Sequence, residues 1–200
     1  AAFLPTIVEA VPGGGLLGAA VGTAAAAYYG GDGGQEASCT FELVTREEAL
    51  AAVFPEATVV SERVFLSDTQ IKRVAELSRG DVYAKLYARY IATRSGVLIG
   101  RAYVDTHEVR TKKQSLLVSL NESGRVRRID VTVFLEPPEY IATPSWMRQF
   151  NNKALDKDLA IQRSIQPIAG ATLTAQAVNQ AVRRVMAIDQ VLTAEAEATP

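Results

Sequence analysis

Hydrophobic and polar positions after residue 44 fall into short segments with either helical or strand spacing. Thr45 with Glu48, and Ser67 with Gln70, have the spacing of capping boxes, in which a hydroxyl residue begins a helix and the third residue after it reaches back. The first predicted helix ends near Phe54, ahead of a proline, and the second ends near Gly80. A short helix is predicted at 145–150 and a long one at 173–192.

Strand patterns occupy most of the chain between these helices. Ile129, Val131 and Val133 alternate with polar residues, which predicts one buried face. A connection containing Gly96 predicts a hairpin, and the predicted strands cover residues 58–66, 82–93, 97–104, 115–120 and 126–135. The pattern therefore predicts a single α+β domain with a mostly antiparallel sheet flanked by helices.

Composition divides the chain into three parts: a Gly/Ala-rich segment at 1–34, a folded domain at 41–192 and a flexible tail at 193–200. Residues 10–31 contain no charged side chain and are long enough to span a bilayer, yet few of them are large and apolar. Two interpretations of the first segment stay open, a flexible leader and a membrane-associated anchor packed through small residues.

Charge and cysteine content exclude several function classes. The net charge of −1 and the lack of basic runs argue against nucleic-acid binding. With one cysteine and one histidine, the chain has too few ligands for a cysteine- or histidine-based metal site or an iron–sulfur cluster. No metal is therefore expected, and redox chemistry would need an organic cofactor.

The segment most informative about chemistry is a turn of small residues that leads into the last helix. Gly170 permits a tight turn, Ala171 keeps the entry uncrowded, and Thr172 is the expected N-cap, which places Thr174 in the first turn. That turn contains no Asp or Glu, so its free N–H groups and positive dipole end are suited to a phosphate. Taken alone, such a helix start more often serves only as a cap.

Residues 169–174 resemble the flavinylation motif of the FMN-binding domain family, which includes the flavin-carrying subunits of the Na⁺-pumping NADH:quinone oxidoreductase and of the Rnf complex. The family pattern is Ser or Thr, Gly, Ala, Thr or Ser, any residue, then Thr or Ser, and here it reads Ala169, Gly170, Ala171, Thr172, Leu173, Thr174. The resemblance implies that FMN is joined by a phosphoester to Thr174. Ala169 departs from the pattern, because it lacks the hydroxyl of the first position.

The resemblance extends ahead of the motif. The family's layout is similar to the order found here, which is the segment 134–137, then Trp146, then residues 149–150, and the upstream segment 100–103 is similar as well. The resemblance implies cofactor contacts for Glu136 and Trp146. Glu136 is equally well explained as the cap of a turn, and Trp146 is favoured as a core aromatic over a ring stacked on the flavin.

Three further residues are weaker candidates for a role at the flavin site. His107 lies in a polar stretch and is expected in an exposed loop, with a proton-handling role the minority interpretation. Arg110 and Arg183 would be able to counter the flavin phosphate, although exposed arginines are common.

The expected function is that of an electron carrier, without catalytic residues of its own. The resemblance implies that a separate flavin transferase attaches FMN from FAD, and that the partner is a membrane redox complex or another electron-carrier protein. It also implies a membrane-associated place on the extracytoplasmic, periplasmic side. The alternative is a structural or assembly subunit of a membrane complex that carries no flavin. A flavin-dependent hydrolase or reductase has no supporting group of residues.

Overall fold

The computed structural model describes residues 43–198. A five-stranded antiparallel sheet with the strand order β1-β2-β3-β4-β5 forms its centre. The strands are β1 (Thr58–Phe65), β2 (Leu86–Arg94), β3 (Val97–Glu108), β4 (Lys113–Asn121) and β5 (Val126–Phe134). The helices are α1 (Arg46–Val53), α2 (Asp68–Ser78), α3 (Pro144–Met147) and α4 (Thr172–Ala198), with short 3₁₀ helices at Pro138–Tyr140 and Arg148–Phe150. The α+β prediction is confirmed.

Helices cover both faces of the sheet. On one face α4 packs across the sheet with α2 beside it, over a core that includes Leu116, Val118 and Leu120 of β4. On the other face the smaller helix α1 covers Leu117 and neighbouring residues. Successive residues of β4 thus enter opposite cores, which explains why the sheet needs a cover on each side.

Local signals placed the starts of α1 and α2 correctly. Thr45 and Ser67 each accept a hydrogen bond from the backbone of the third helical residue, and Glu48 and Gln70 return one, so both capping boxes are present. Ser95 and Gly96 have φ values of 51° and 79° at the β2–β3 turn, as a tight hairpin requires. The predicted hairpin is therefore confirmed.

The predicted alternation along β5 fails at its end. Ile129 and Val131 are buried, but Val133 is 37% exposed. Val133 pairs with Ser115 and Val131 pairs with the next β4 residue, Leu116, so Thr132 is an extra, bulged residue on β5. The extra residue moves Val133 off the face that its neighbours share.

Helix α4 is longer than the sequence pattern predicts. It begins at Thr172 and continues to Ala198, so residues 193–198 of the segment expected to be a flexible tail are helical. No helix between residues 43 and 198 combines the length and the apolar character needed to cross a membrane. The predicted leader at 1–34 lies outside the described residues.

Candidate functional site

The motif residues and the loop that Trp146 holds lie together at the start of α4, whereas Glu136 lies at the β3–β4 connection. Gly170 has a φ of 78°, in the left-handed region that favours glycine, and beyond its two chain neighbours no residue comes within 4 Å of the position of a Cβ there. Thr172 is the first helical residue, so the expectation that it caps the helix is wrong, and Ala171 occupies the position before it. Thr174 is the third helical residue and lies in the first turn.

This helix start differs from the other three in the described part of the chain. Helices α1, α2 and α3 each begin with a hydroxyl side chain, from Thr45, Ser67 and Thr143, that accepts a backbone N–H. Ala171 has no such oxygen, and the first turn of α4 contains no acidic residue. Its free N–H groups and the positive end of the helix dipole therefore lack an acceptor of their own, an arrangement that fits a phosphate.

A cleft of about 490 Å³ lies beside this helix start. Thr172 and Gln176, one turn apart on α4, form one side of it, and the preceding loop forms the rest through Ile161, Gln162, Pro167, Ile168 and Ala169. Thr174 does not line this cleft and is only 1% exposed, whereas Leu173 is 48% exposed. The first turn thus presents Thr172 to the cleft and Thr174 to the interior.

Trp146 and Gln149 fix the loop that leads into the helix. The Trp146 indole Nε1 donates to the carbonyl oxygen of Gln166 at 2.7 Å, and the Gln166 N–H donates to Gln149 Oε1 at 2.8 Å. Trp146 is half-buried and meets Phe150 edge-on at 5.5 Å. The indole therefore packs against the core and at the same time holds the backbone four residues ahead of Gly170.

Glu136 caps a turn, the second of its two expected roles. One carboxylate oxygen, Oε1, accepts the backbone N–H groups of Arg110, Thr111 and Lys112 at 3.2, 2.7 and 2.8 Å. These hydrogen bonds hold the pKa of Glu136 below its ordinary value, and the bond from Thr111 has the largest effect. Glu136 therefore orders the β3–β4 connection.

The low pKa of Glu136 gives a stability contribution with a defined pH dependence. Since the folded state lowers this pKa, the contribution is present above the ordinary value of 4.5 and is lost as the pH falls through the folded pKa. We expect Glu136→Gln to lower the melting temperature at pH 7 and to have a shrinking effect below pH 4.5. Thermal unfolding followed by circular dichroism across this range measures it. A difference between the two proteins that stays constant down to the acid limit would contradict the capping role.

The expectation of an exposed His107 in a polar loop is wrong. Strand β3 continues to Glu108, so His107 lies on the sheet, and it is 7% exposed beneath α4. Its Nδ1 is 2.8 Å from Asp105 Oδ1, and its Nε2 is 3.2 Å from Gln114 Oε1. The histidine is thus a buried, hydrogen-bonded part of the core.

Two buried ion pairs join α4 to β3. Arg184 donates through Nε and Nη2 to the two oxygens of Asp105, both at 2.8 Å. Five residues further along the helix, Asp189 accepts from Arg101 and from the Tyr103 hydroxyl, the latter at 2.8 Å. Burial raises the pKa of Asp105, but the hydrogen bonds from His107 and Arg184 outweigh it, and the net shift is downward. These pairs fix the position of α4 on the sheet.

The two arginines considered for the phosphate are engaged elsewhere. Arg183 is 4% exposed and donates to the carbonyl oxygens of Leu77 and Ser78, at the end of α2, and of Asp156 and Leu159. Arg110 lies over the Tyr140 ring at 4.9 Å. Arg183 therefore satisfies carbonyl groups at the end of α2 and in the loop at 156–159.

A comparison with known protein families finds a match that includes the start of α4. The model of the FMN-binding domain family matches residues 112–187, from the start of β4 through most of α4. Over these residues the chain is similar to the FMN-binding domain family. No curated protein matches the chain.

The matched segment includes Glu136, Trp146 and the whole of the motif that ends at Thr174. The suspected family is thereby confirmed, and FMN is supported as the cofactor of this flavin-binding domain. Sequence analysis gave no role to Gln149, which bonds the loop ahead of the helix, or to Gln176, which lines the cleft. It also did not predict the Arg184–Asp105 pair that holds the helix in place.

Proposed function

We propose that this FMN-binding domain is an electron-transfer module that carries FMN as a phosphoester on Thr174. One observation supports the proposal above the others. The segment that matches the family contains Thr174, which lies in the first turn of α4. Among the described α-helices, α4 alone begins with neither a side-chain cap nor an acidic residue. Such a turn can hold a phosphate group through its backbone N–H groups.

In this proposal the chain's own atoms anchor and orient the cofactor. The Thr174 oxygen forms a bond to the flavin-side phosphorus of FAD, the pyrophosphate P–O bond breaks, AMP leaves, and the hydroxyl proton passes to a base of the transferase. The N–H groups of the first turn would hold the remaining phosphate charge. FMN, when bound, supplies the electron-transfer chemistry that the side chains do not provide. The Trp146 indole N–H donates to Gln166, the Gln166 N–H donates to Gln149, and both bonds keep the preceding loop in place.

Thr174 is 1% exposed, so the side chains that cover it must shift when the ester forms. Thr172 already faces the cleft and is the other hydroxyl that a transferase would meet. Variants at both positions are therefore needed to assign the ester.

We further propose that the domain works at a membrane redox complex on the extracytoplasmic side and exchanges electrons with that complex or with another carrier protein. The resemblance to the complex-bound subunits supports this proposal, as does the uncharged Gly/Ala-rich stretch at 10–31. A cofactor that cannot dissociate suits a compartment in which free FMN is scarce.

A structural or assembly subunit without flavin is the second candidate. Burial of Thr174 and the missing hydroxyl at Ala169 both favour it over a flavinylated carrier. In that case the same fold would serve only to bind neighbouring subunits.

The two candidates are separated by the mass of the protein purified from its native host. We expect the intact mass to exceed the sequence mass by one FMN minus one water, and we expect the visible flavin absorbance to bleach with a reductant and return with an oxidant. An unmodified protein from cells that contain an active flavin transferase would favour the structural subunit.

A further inference from the structure

A groove of about 350 Å³ runs along the sheet edge at β5, separate from the cleft at the start of α4. Five consecutive β5 residues form its floor, Val44 ahead of α1 stands on one side, and α3 with the turn after it stands on the other. We call it the β5 groove, and its lining residues are Val44, Arg127, Arg128, Ile129, Asp130, Val131, Pro144, Met147, Arg148 and Asn151.

The floor of this groove is an edge strand with backbone groups available for pairing. Strand β5 is the last strand of the sheet, so only one of its sides pairs with β4. On its outer side Val126 exchanges backbone hydrogen bonds with Asn152 and Lys153. Beyond Val126, no further outer backbone pairing of β5 occurs within residues 43–198. An extended peptide can add a strand to such an edge.

The side chains of the groove carry an excess of positive charge. Arg128 pairs with Asp130 through Nη2 at 2.7 Å. Arg127 lies over the Phe54 ring at 5.4 Å, and neither Arg127 nor Arg148 has a carboxylate partner in the described part of the chain. Two guanidinium groups at the groove are thus available to carboxylates of a ligand.

A buried acceptor in the groove points to a ligand that also donates a hydrogen bond. The Asp130 side chain is 6% exposed, and its Oδ1 accepts from Arg128 Nε at 2.8 Å. Its other oxygen, Oδ2, is buried and has no hydrogen-bond partner in the part of the chain that the structure describes. Since an unsatisfied buried acceptor is costly, a donor from a bound molecule would stabilise it.

We propose that the β5 groove binds an extended, acidic peptide segment of a partner protein as an added strand on β5. The peptide backbone pairs with the outer edge at 127–131, its carboxylates bind Arg127 and Arg148, and one of its N–H groups donates to Asp130 Oδ2. A free phosphate or a nucleotide phosphate would satisfy only the arginines and would face the Asp130 carboxylate. The proposal does not depend on the flavin.

The test measures binding of a labelled synthetic peptide with alternating Glu and Val residues to the full chain by fluorescence anisotropy. We expect saturable binding that weakens with added salt, and a loss of affinity of about tenfold or more in Arg127→Glu and in Arg148→Glu. Lys157→Glu, which makes the same charge change at an exposed site outside the groove, should bind like the wild type. Both arginines are exposed, so circular dichroism should show the fold unchanged.

Two control peptides separate strand addition from simple charge attraction. A peptide with every second amide N-methylated cannot complete the backbone pairing, and a peptide with Lys in place of Glu has the wrong charge, so both should fail to bind. Equal binding of the N-methylated peptide, or equal loss in Lys157→Glu, would overturn the proposal. So would the absence of acidic-peptide binding. A wild-type dimer that dissociates in Arg127→Glu would instead assign the groove to a second copy of this chain.

Discussion

Thr174→Ala is expected to give a folded protein with no covalently bound flavin when it is produced together with a flavin transferase. The substitution removes the only oxygen of this side chain that can form the phosphoester, so the loss should be complete. Thr172→Ala should keep the modification, although at a reduced yield if the exposed hydroxyl beside the cleft helps to place the donor. Intact-mass spectrometry of both proteins measures the flavin content directly.

Two further substitutions at this position separate chemistry from packing. Thr174 is 1% exposed, so its replacement by alanine also removes a buried methyl group. Thr174→Val keeps the shape without the hydroxyl and should remain unmodified, whereas Thr174→Ser keeps the hydroxyl and should be flavinylated. A flavin adduct that persists in Thr174→Val and disappears in Thr172→Ala would assign the ester to Thr172.

The elements that the sequence predicted correctly depend on neighbours along the chain. The capping boxes at Thr45 and Ser67 and the hairpin at Gly96 involve contacts within three or four residues, so their residue types alone fix the geometry. The acid-free first turn of α4 was visible for the same reason. Its N-cap was assigned one residue too late, because the hydroxyl of Thr172 suggested a cap and α4 begins at that residue.

The features that the sequence did not predict depend on distant residues. His107 is polar and was expected in a loop, but its partners Asp105 and Gln114 and the helix above it are brought together only by the fold. Arg183 and Arg184 stand between the apolar residues Val182 and Val185, which is the one sign in the sequence that these arginines are buried. The sign does not identify their partners, since Asp105 lies 79 residues away from Arg184.

Burial of Thr174 could not be predicted from the motif either. A family pattern records which residue receives the flavin and does not record how the helix start is covered before attachment. Exposure alone would favour Thr172, and the resemblance favours Thr174. The mass measurements on the two variants decide between these criteria.

Arg184→Met is expected to be strongly destabilising, by about 3–5 kcal/mol, because it leaves the Asp105 carboxylate buried without its guanidinium partner. The two side chains are 4% and 1% exposed, so water cannot replace the lost bonds. Methionine keeps much of the arginine's length and apolar stem, which limits the loss of packing. Urea unfolding followed by circular dichroism measures the change in the free energy of unfolding.

An exposed pair and a double variant test the assignment of this cost to the buried charge. Arg73 and Glu76 form an ion pair with side chains that are 61% and 66% exposed, so Arg73→Met should cost no more than about 1 kcal/mol. In the double variant Asp105→Asn with Arg184→Met no charge is left unpaired, and we expect it to be more stable than Arg184→Met alone. If Arg73→Met and Arg184→Met lower the free energy of unfolding equally, the Arg184–Asp105 pair does not hold α4 on the sheet. Apolar packing would then position the helix start that carries Thr174.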